Sequence, residues 1–323
     1  MHIAFGTTQS RRVVLLTVLC ACPLLSPACS KSPTQPQSGP HDSVVFPIKQ
    51  YWPSWLVSGR LAYIDAGITC VKPNGGYEVD PARHGVYLFD PITQRRTRIA
   101  AADYGVACHP SREILAYSDG QSITICDTSG AVLQRKVVSA PAVHLAWSPD
   151  GTLLAWQQVD VDPGIWCLDV SSMIAHKVRF DYGGPSWLAG SNTLVGGAPN
   201  ATRNAMYLVA MSLDGSRVDT LCTVPLRVYA LGVVESPGEL IVIARGTGDA
   251  ESHIYRVDIA TGKATQLGPV GASDPALNLA TGQIAFVREA ARSISPEDNV
   301  IWLWSGSSQP AAVLIPAWPG ECQ

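Results

Sequence analysis

Apolar residues along this chain come in short runs, broken every few positions by Gly, Pro, Asp or Ser, and helix-period stripes are scarce. That pattern predicts many short strands joined by tight turns. The clearest unit is Val143 to Trp156, where two apolar runs flank Ser148-Pro149-Asp150-Gly151. Proline presets φ at the first corner, the aspartate side chain bonds back to the backbone, and glycine takes the left-handed corner. With apolar residues on both sides, the unit reads as a buried hairpin. Weaker copies lie at 54–63, 107–117, 186–195, 236–243 and 280–286. A second marker, a strand closing on a turn, ends at Asp90, Asp127, Asp169, Ala210, Asp258 and Ser305, a mean step of 43 residues. A further short strand follows each. Units of about 40–45 residues with four strands apiece are the signature of propeller blades. The expectation is an all-β fold: a six-bladed β-propeller of four-stranded antiparallel blades over residues 44–323, with a C-terminal tail.

The segment ahead of the repeats has a different pattern. Arg11-Arg12 precede an uncharged run, Val13 to Ala28, too short and too interrupted to span a bilayer comfortably. Residues 1–28 therefore read as a targeting segment. Its removal takes away both arginines and no acid, leaving 21 Lys+Arg against 26 Asp+Glu. A mildly acidic body without a basic stripe argues against nucleic acid as a partner. Residues 29–43 are rich in Ser, Pro and Gln, cannot bury a core, and are expected to form a flexible tether.

The run Leu24-Leu25-Ser26-Pro27-Ala28-Cys29-Ser30 resembles a bacterial lipoprotein signal, in which a small residue precedes a cysteine that is lipidated. Cys29 is the expected site, because the tether starts directly after it. Cys22 is the alternative, and simple secretion without lipid is a third reading. The resemblance implies a protein of the bacterial cell envelope that meets the membrane through a lipid anchor only. Ser30 after the cysteine implies the outer membrane, with the body facing periplasm or exterior. The hairpins, together with turns such as Asp258-Ile259-Ala260-Thr261-Gly262, resemble the propeller repeats of the TolB family and its WD40-like relatives over residues 52–316. Members of that family carry a separate N-terminal α/β domain. A tether is expected in its place here, so the resemblance implies the propeller but not the family's partners.

Candidate chemistry is sparse. No His-Glu-x-x-His, Cys-x-x-Cys or Gly-x-Ser-x-Gly pattern occurs, so no catalytic residues, metal or cofactor are expected. Asp160-Val161-Asp162 reads as an exposed turn more readily than as a calcium site. In a propeller the long insertions at 66–85, 159–164, 197–204, 246–252 and 289–299 share one face with the links between blades, and the tight turns take the other. Binding is expected on the loop-rich face. Near the start of each first strand stand Trp52, Gly105, His144, Gly184, Gly232 and Pro275, a ring about the axis. His144 is its titratable member, with Asp103, Tyr104, Asp181, Tyr182, Tyr229 and Asp274 just outside. These seven are the candidate binding residues. The favoured function is a non-catalytic scaffold that presents the loop-rich face to an envelope protein, peptide or glycan. The rival is a propeller hydrolase or lyase with an axial site near His144.

Cys108, Cys126 and Cys167 fall inside strand markers and read as small buried apolar residues. Cys70 in the first long insertion and Cys322 in the tail are candidates for a disulfide that staples the last blade to the first. Aromatic residues recurring at Trp55, Tyr63, Tyr117, Trp147, Trp156, Trp187 and Phe286 are expected to fill the wedges between blades.

Overall fold

The computed structural model describes residues 50–71, 77–179, 183–200, 205–236, 238–245, 252–267, 271–288, 300–306 and 311–312. Among them there is no helix, and six four-stranded antiparallel sheets follow one another along the chain. Blade 1 holds β1 (Gln50–Trp55), β2 (Leu61–Asp65), β5 (Gly85–Asp90) and β6 (Arg95–Ala100). Blade 2 holds β7 (Tyr104–Cys108), β8 (Ile114–Ser118), β9 (Ser122–Asp127) and β10 (Val132–Val137). Blade 3 holds β11 (Ala142–Trp147), β12 (Leu153–Gln158), β13 (Gly164–Asp169) and β14 (Ile174–Arg179). Blade 4 holds β15 (Gly183–Trp187), β16 (Leu194–Pro199), β17 (Met206–Met211) and β18 (Val218–Val224). Blade 5 holds β19 (Arg227–Ser236), β20 (Glu239–Arg245), β21 (His253–Asp258) and β22 (Ala264–Leu267). Blade 6 holds β23 (Ala272–Leu277), β24 (Ile284–Arg288), β25 (Ile301–Trp304) and β26 (Ala311–Ala312). The first long insertion folds into a hairpin of its own, β3 (Ile68–Val71) with β4 (Tyr77–Val79), which the sequence pattern does not announce.

Successive residues of a strand point to opposite faces, and each blade is covered on both faces by its neighbours. A strand near the axis must therefore be apolar throughout. β2 and β8 are accordingly buried along their whole length. In β12, Leu154 and Trp156 enter the cluster shared with blade 2, while Ala155 between them enters the cluster shared with blade 4. Among the described residues six such hydrophobic clusters form, one for each seam between blades, including the seam of blades 6 and 1. The expected wedges are filled as read. Tyr63, Trp156 and Phe286 are no more than 1% exposed, and Tyr117, Trp147 and Trp187 are buried.

The tight turns also link blade to blade. Glu113 of blade 2 accepts from Ser58 N, from Ser58 Oγ and from Arg60 of blade 1. Asp150 of blade 3 accepts from Asn192 of blade 4 at 2.7 Å. The master turn has the chemistry its sequence implies: Asp150 Oδ1 accepts from Ser148 Oγ, Thr152 N and Thr152 Oγ1, and Gly151 sits at φ 72°. Those bonds hold the Asp150 carboxyl well below the usual carboxylate range.

Of the cysteines, Cys108, Cys126 and Cys167 are buried and free, and Cys222 is free and half-buried. Burial pushes the Cys108 thiol up to about 12. Cys322 and the side chain of Cys70 lie outside the described residues, as do Cys22, Cys29 and the tether.

Candidate functional site

Five of the innermost strands contain one extra residue relative to their partner, and β19 of blade 5 contains three. In β11 the pairing jumps from Val143↔Gln157 to Ala146↔Ala155, so His144 and Leu145 together oppose Trp156. The same irregularity lies between Tyr51 and Ser54, Tyr104 and Val106, Gly183 and Ser186, Leu231 and Val234, and Ser273 and Ala276. A bulge of this kind kinks the strand and re-aims a side chain. The first residue of the bulge is Trp52, Gly105, His144, Gly184 and Asp274 in blades 1, 2, 3, 4 and 6, and Gly232 opens the middle one of the three shifts in blade 5. In blade 6 the bulge begins at Asp274 and not at Pro275, with Asp274 at φ 47° beside 48° for Trp52 and 50° for His144.

These residues converge. The Trp52 and His144 rings meet edge to face with centroids 6.4 Å apart, although blade 2 stands between their blades. Blade 2 contributes Gly105, where a Cβ would already press on Leu145 at 3.3 Å. On the other side His144 packs against Gly184 of blade 4, with 3.4 Å between its Cγ and the place a Cβ would take. Burial lowers the His144 pKa, so the imidazole is neutral at neutral pH. Its ring nitrogens have no hydrogen-bond partner among the described residues.

Trp52, His144 and Asp274 line the inner end of an axial cavity of about 440 Å³. The wall continues along the inner strands through Trp55, Trp147 and Trp187 and ends at the first-to-second-strand turns, among them Val57, Pro149 and Leu279. Val57 and Leu279 stand at this mouth 57% and 68% exposed. The described cavity therefore opens on the tight-turn face, opposite the loop-rich face on which binding is expected from the sequence. Indole rings, prolines and aliphatic side chains form most of its wall. Asp274 is the one formally charged side chain among its described lining residues.

The other candidates fall elsewhere. Asp103 is exposed and pairs with His84 Nε2 at 3.1 Å, at the foot of the first long insertion. Tyr104 lies over Gly120, its Cε2 2.8 Å from where a Cβ would stand. Neither is a lining residue of the cavity. Tyr229 lies in β19, its side chain outside the described set, and Asp181 and Tyr182 lie outside the described residues altogether. Among the described residues no three His, Cys, Asp or Glu side chains gather closely enough to hold a metal ion. Sequence reasoning passes over Trp52, Trp55 and Leu279 as site residues. Their signal is positional: each holds a fixed offset from a turn that recurs in every blade.

No protein-family model and no curated protein matches the chain. Among solved structures, a TolB-assigned protein of Agrobacterium tumefaciens is similar with a TM-score of 0.51 at 14% identity, over 68% of this chain and 81% of that one. The fold is TolB-like. Two further structures have lower scores. An oligogalacturonate lyase in complex with manganese gives 0.48 at 16% identity, over 83% of this chain and 84% of that one. The TolB of Acinetobacter baumannii gives 0.47 at 16% identity, over 81% and 66%. At such identities the TolB-like resemblance is one of fold, and function has to be argued from the residues of the cavity.

Proposed function

We propose that this protein is a lipid-anchored, non-catalytic binding propeller of the bacterial cell envelope, with the axial cavity as its receptor for an envelope protein, peptide or glycan. The observation that carries the reading is the cavity itself: concave, mostly apolar, with a few polar groups fixed at its inner end. A rigid ring of blades holds that shape in advance, so a ligand does not have to organise it. The address rests on the lipoprotein-like run at Cys29 and the polar tether behind it.

Cross-linking in native envelopes tests the binding. A photoreactive residue at position 57 or 279, at the cavity mouth, should capture a discrete partner, and one at exposed Ile92 should not. Equal capture from both places refutes an axial receptor. Mass spectrometry of the mature N-terminus tests the address. Diacylglyceryl on Cys29 is expected, lipid on Cys22 moves the site, and an unmodified N-terminus beyond residue 29 refutes the anchor.

The unpartnered His144 imidazole favours a second reading, an axial hydrolase or lyase with His144 as general base. Asp274 is the single carboxylate beside it among the described lining residues. Turnover of a glycan or peptide library that disappears in His144→Gln would establish that reading in place of the first.

A further inference from the structure

The six inner bulges divide into two kinds. Blades 2, 4 and 5 place glycine at the first bulge residue, whereas blades 1, 3 and 6 place Trp52, His144 and Asp274 there. All three larger residues have φ near 50°, in the left-handed region that side-chain-bearing residues rarely adopt. In blade 2 Gly105 takes the same left-handed conformation at φ 55° without strain, whereas Gly184 of blade 4 does not adopt it. Blades 1, 3 and 6 thus carry side chains in a left-handed conformation that blade 2 gives to glycine, and all three line the axial cavity. Opposite each of these bulges stands a fully buried aromatic residue, Tyr63, Trp156 or Phe286, which fixes the strand beneath it. Strain retained in this way points to function.

The three side chains bring an aromatic ring, a neutral imidazole and a carboxylate to one end of an apolar shaft. We propose that the axial cavity binds an organic cation, a hydrophobic stem lying along the indole- and proline-lined wall and ending in an ammonium group that meets Asp274 and Trp52. This rests on the axial-receptor reading and names its ligand class. An indole ring and a carboxylate together attract an ammonium where little water competes. A sugar would bring many hydroxyls against a mostly carbon wall, where they find few partners. An anion would meet Asp274. A small arylalkylamine and a lysine side chain from a partner protein share the required chemistry.

The test titrates phenethylammonium, and 2-phenylethanol as its neutral counterpart, into the full-length protein by calorimetry and tryptophan fluorescence. The cation should bind saturably and at least tenfold more tightly than the alcohol. Asp274→Asn should weaken the cation at least tenfold and leave the alcohol unchanged. His144→Gly and Asp274→Gly should also bind it at least tenfold more weakly, while the thermal midpoint of His144→Gly holds level or rises, because the left-handed strain is relieved. Equal binding of the alcohol, or full binding by Asp274→Asn, overturns the proposal. A lowered midpoint in His144→Gly overturns it too, since that side chain would then serve the fold. An acetylated, amidated tripeptide with one lysine, compared with its Nε-acetyl form, separates the sources. Preference for the free lysine over phenethylammonium assigns the cation to a partner protein, and the reverse assigns it to a small amine. If Asp274→Asn still captures its cross-linked partner from position 57, the receptor stands and only the ligand class falls.

Discussion

Trp55 of the first blade donates its indole N–H to the carbonyl of Ala276 in the sixth, across 3.0 Å. The same bond joins Trp147 to Ala107 and Trp187 to Ala146, each indole reaching back to the inner strand of the preceding blade. In blade 2 a cysteine replaces the indole, and Cys108 Sγ and N reach Ser54 O and Ser54 Oγ at 3.4 and 2.9 Å. Ring closure therefore uses the ordinary inter-blade bond. A second tie lies at the same seam, where buried Gln50 accepts from Ile301 N at 2.9 Å. An unclosed ring would leave sheet faces and edges open to other chains.

Replacing Trp55 with phenylalanine retains a ring in the wedge and removes the donor. Ala276 O then loses its partner, and the change should cost about 1 kcal/mol of stability. Trp147→Ala removes a whole buried ring as well, and about 3–5 kcal/mol is expected. Urea denaturation checks both. Similar losses in the two variants would mean that the ring contributes little beyond its hydrogen bond.

Thiol accessibility follows from the same inner strands. Burial pushes Cys108 and Cys167 up to about 12 and Cys126 up to about 11, so none of them forms thiolate at neutral pH. In the native protein these three should resist iodoacetamide, and Cys222, half-buried on β18, should be modified faster. Peptide mapping after alkylation reads each site separately. Modification of Cys108 at the rate of Cys222 would place blade 2 in frequent local opening.

Stability should fall in mild acid. His109 is 4% exposed, packs at a tilt against Trp147 with centroids 4.9 Å apart, and its Nδ1 accepts from Ser111 N at 3.2 Å. Burial, and then the Arg112 charge, lower its pKa below the ordinary 6.5. His144 shifts in the same direction through burial. As pH drops through about 6.5 the unfolded chain takes up protons before the folded one does, so folding loses free energy until the lowered pKa values are reached. Denaturation midpoints should be level above about pH 7 and decline as pH falls below that. His109→Gln should remove part of that slope. An unaltered slope would assign the acid sensitivity to other groups.

Much of the ring is legible in the residues alone, because a turn of fixed chemistry marks each blade and fixes the offset to its inner strand. Blade 6 shows where that logic ends. Leu277 stands where Trp55, Trp147 and Trp187 anchor other blades, so nothing in the sequence marks the register, and the pattern puts Asp274 one place outside the ring. Chain proximity alone puts Asp103 and Tyr104 near the axis. Their true neighbours, His84 and Gly120, depend on the course of a long loop and a turn, which no local pattern encodes. The cavity opens on the face opposite the one that loop length suggests, for a physical reason. Loop length signals where sequence variety lies, whereas the shaft is walled by the inner strands themselves, whose apolar residues look like ordinary core.

A severe backbone substitution is expected at the master turn. Gly151 sits at φ 72°, and a Cβ there would stand 2.1 Å from His109 Nε2 and 2.2 Å from its Cε1. Gly151→Ala therefore combines a left-handed backbone with a collision against a buried ring. That ring is wedged against Trp147, so it cannot swing away without opening the seam between blades 2 and 3. About 2–4 kcal/mol of destabilisation is expected. Gly190, at φ 70° in the corresponding turn of blade 4, meets nothing within 4 Å of an added Cβ. Gly190→Ala isolates the backbone component and should cost only about 1 kcal/mol. In the double variant Gly151→Ala with His109→Ala the collision is gone, so the further cost of Gly151→Ala on the His109→Ala background should fall to that of Gly190→Ala. A cost that stays at its full value on that background would show that the turn fails through its backbone and not through His109.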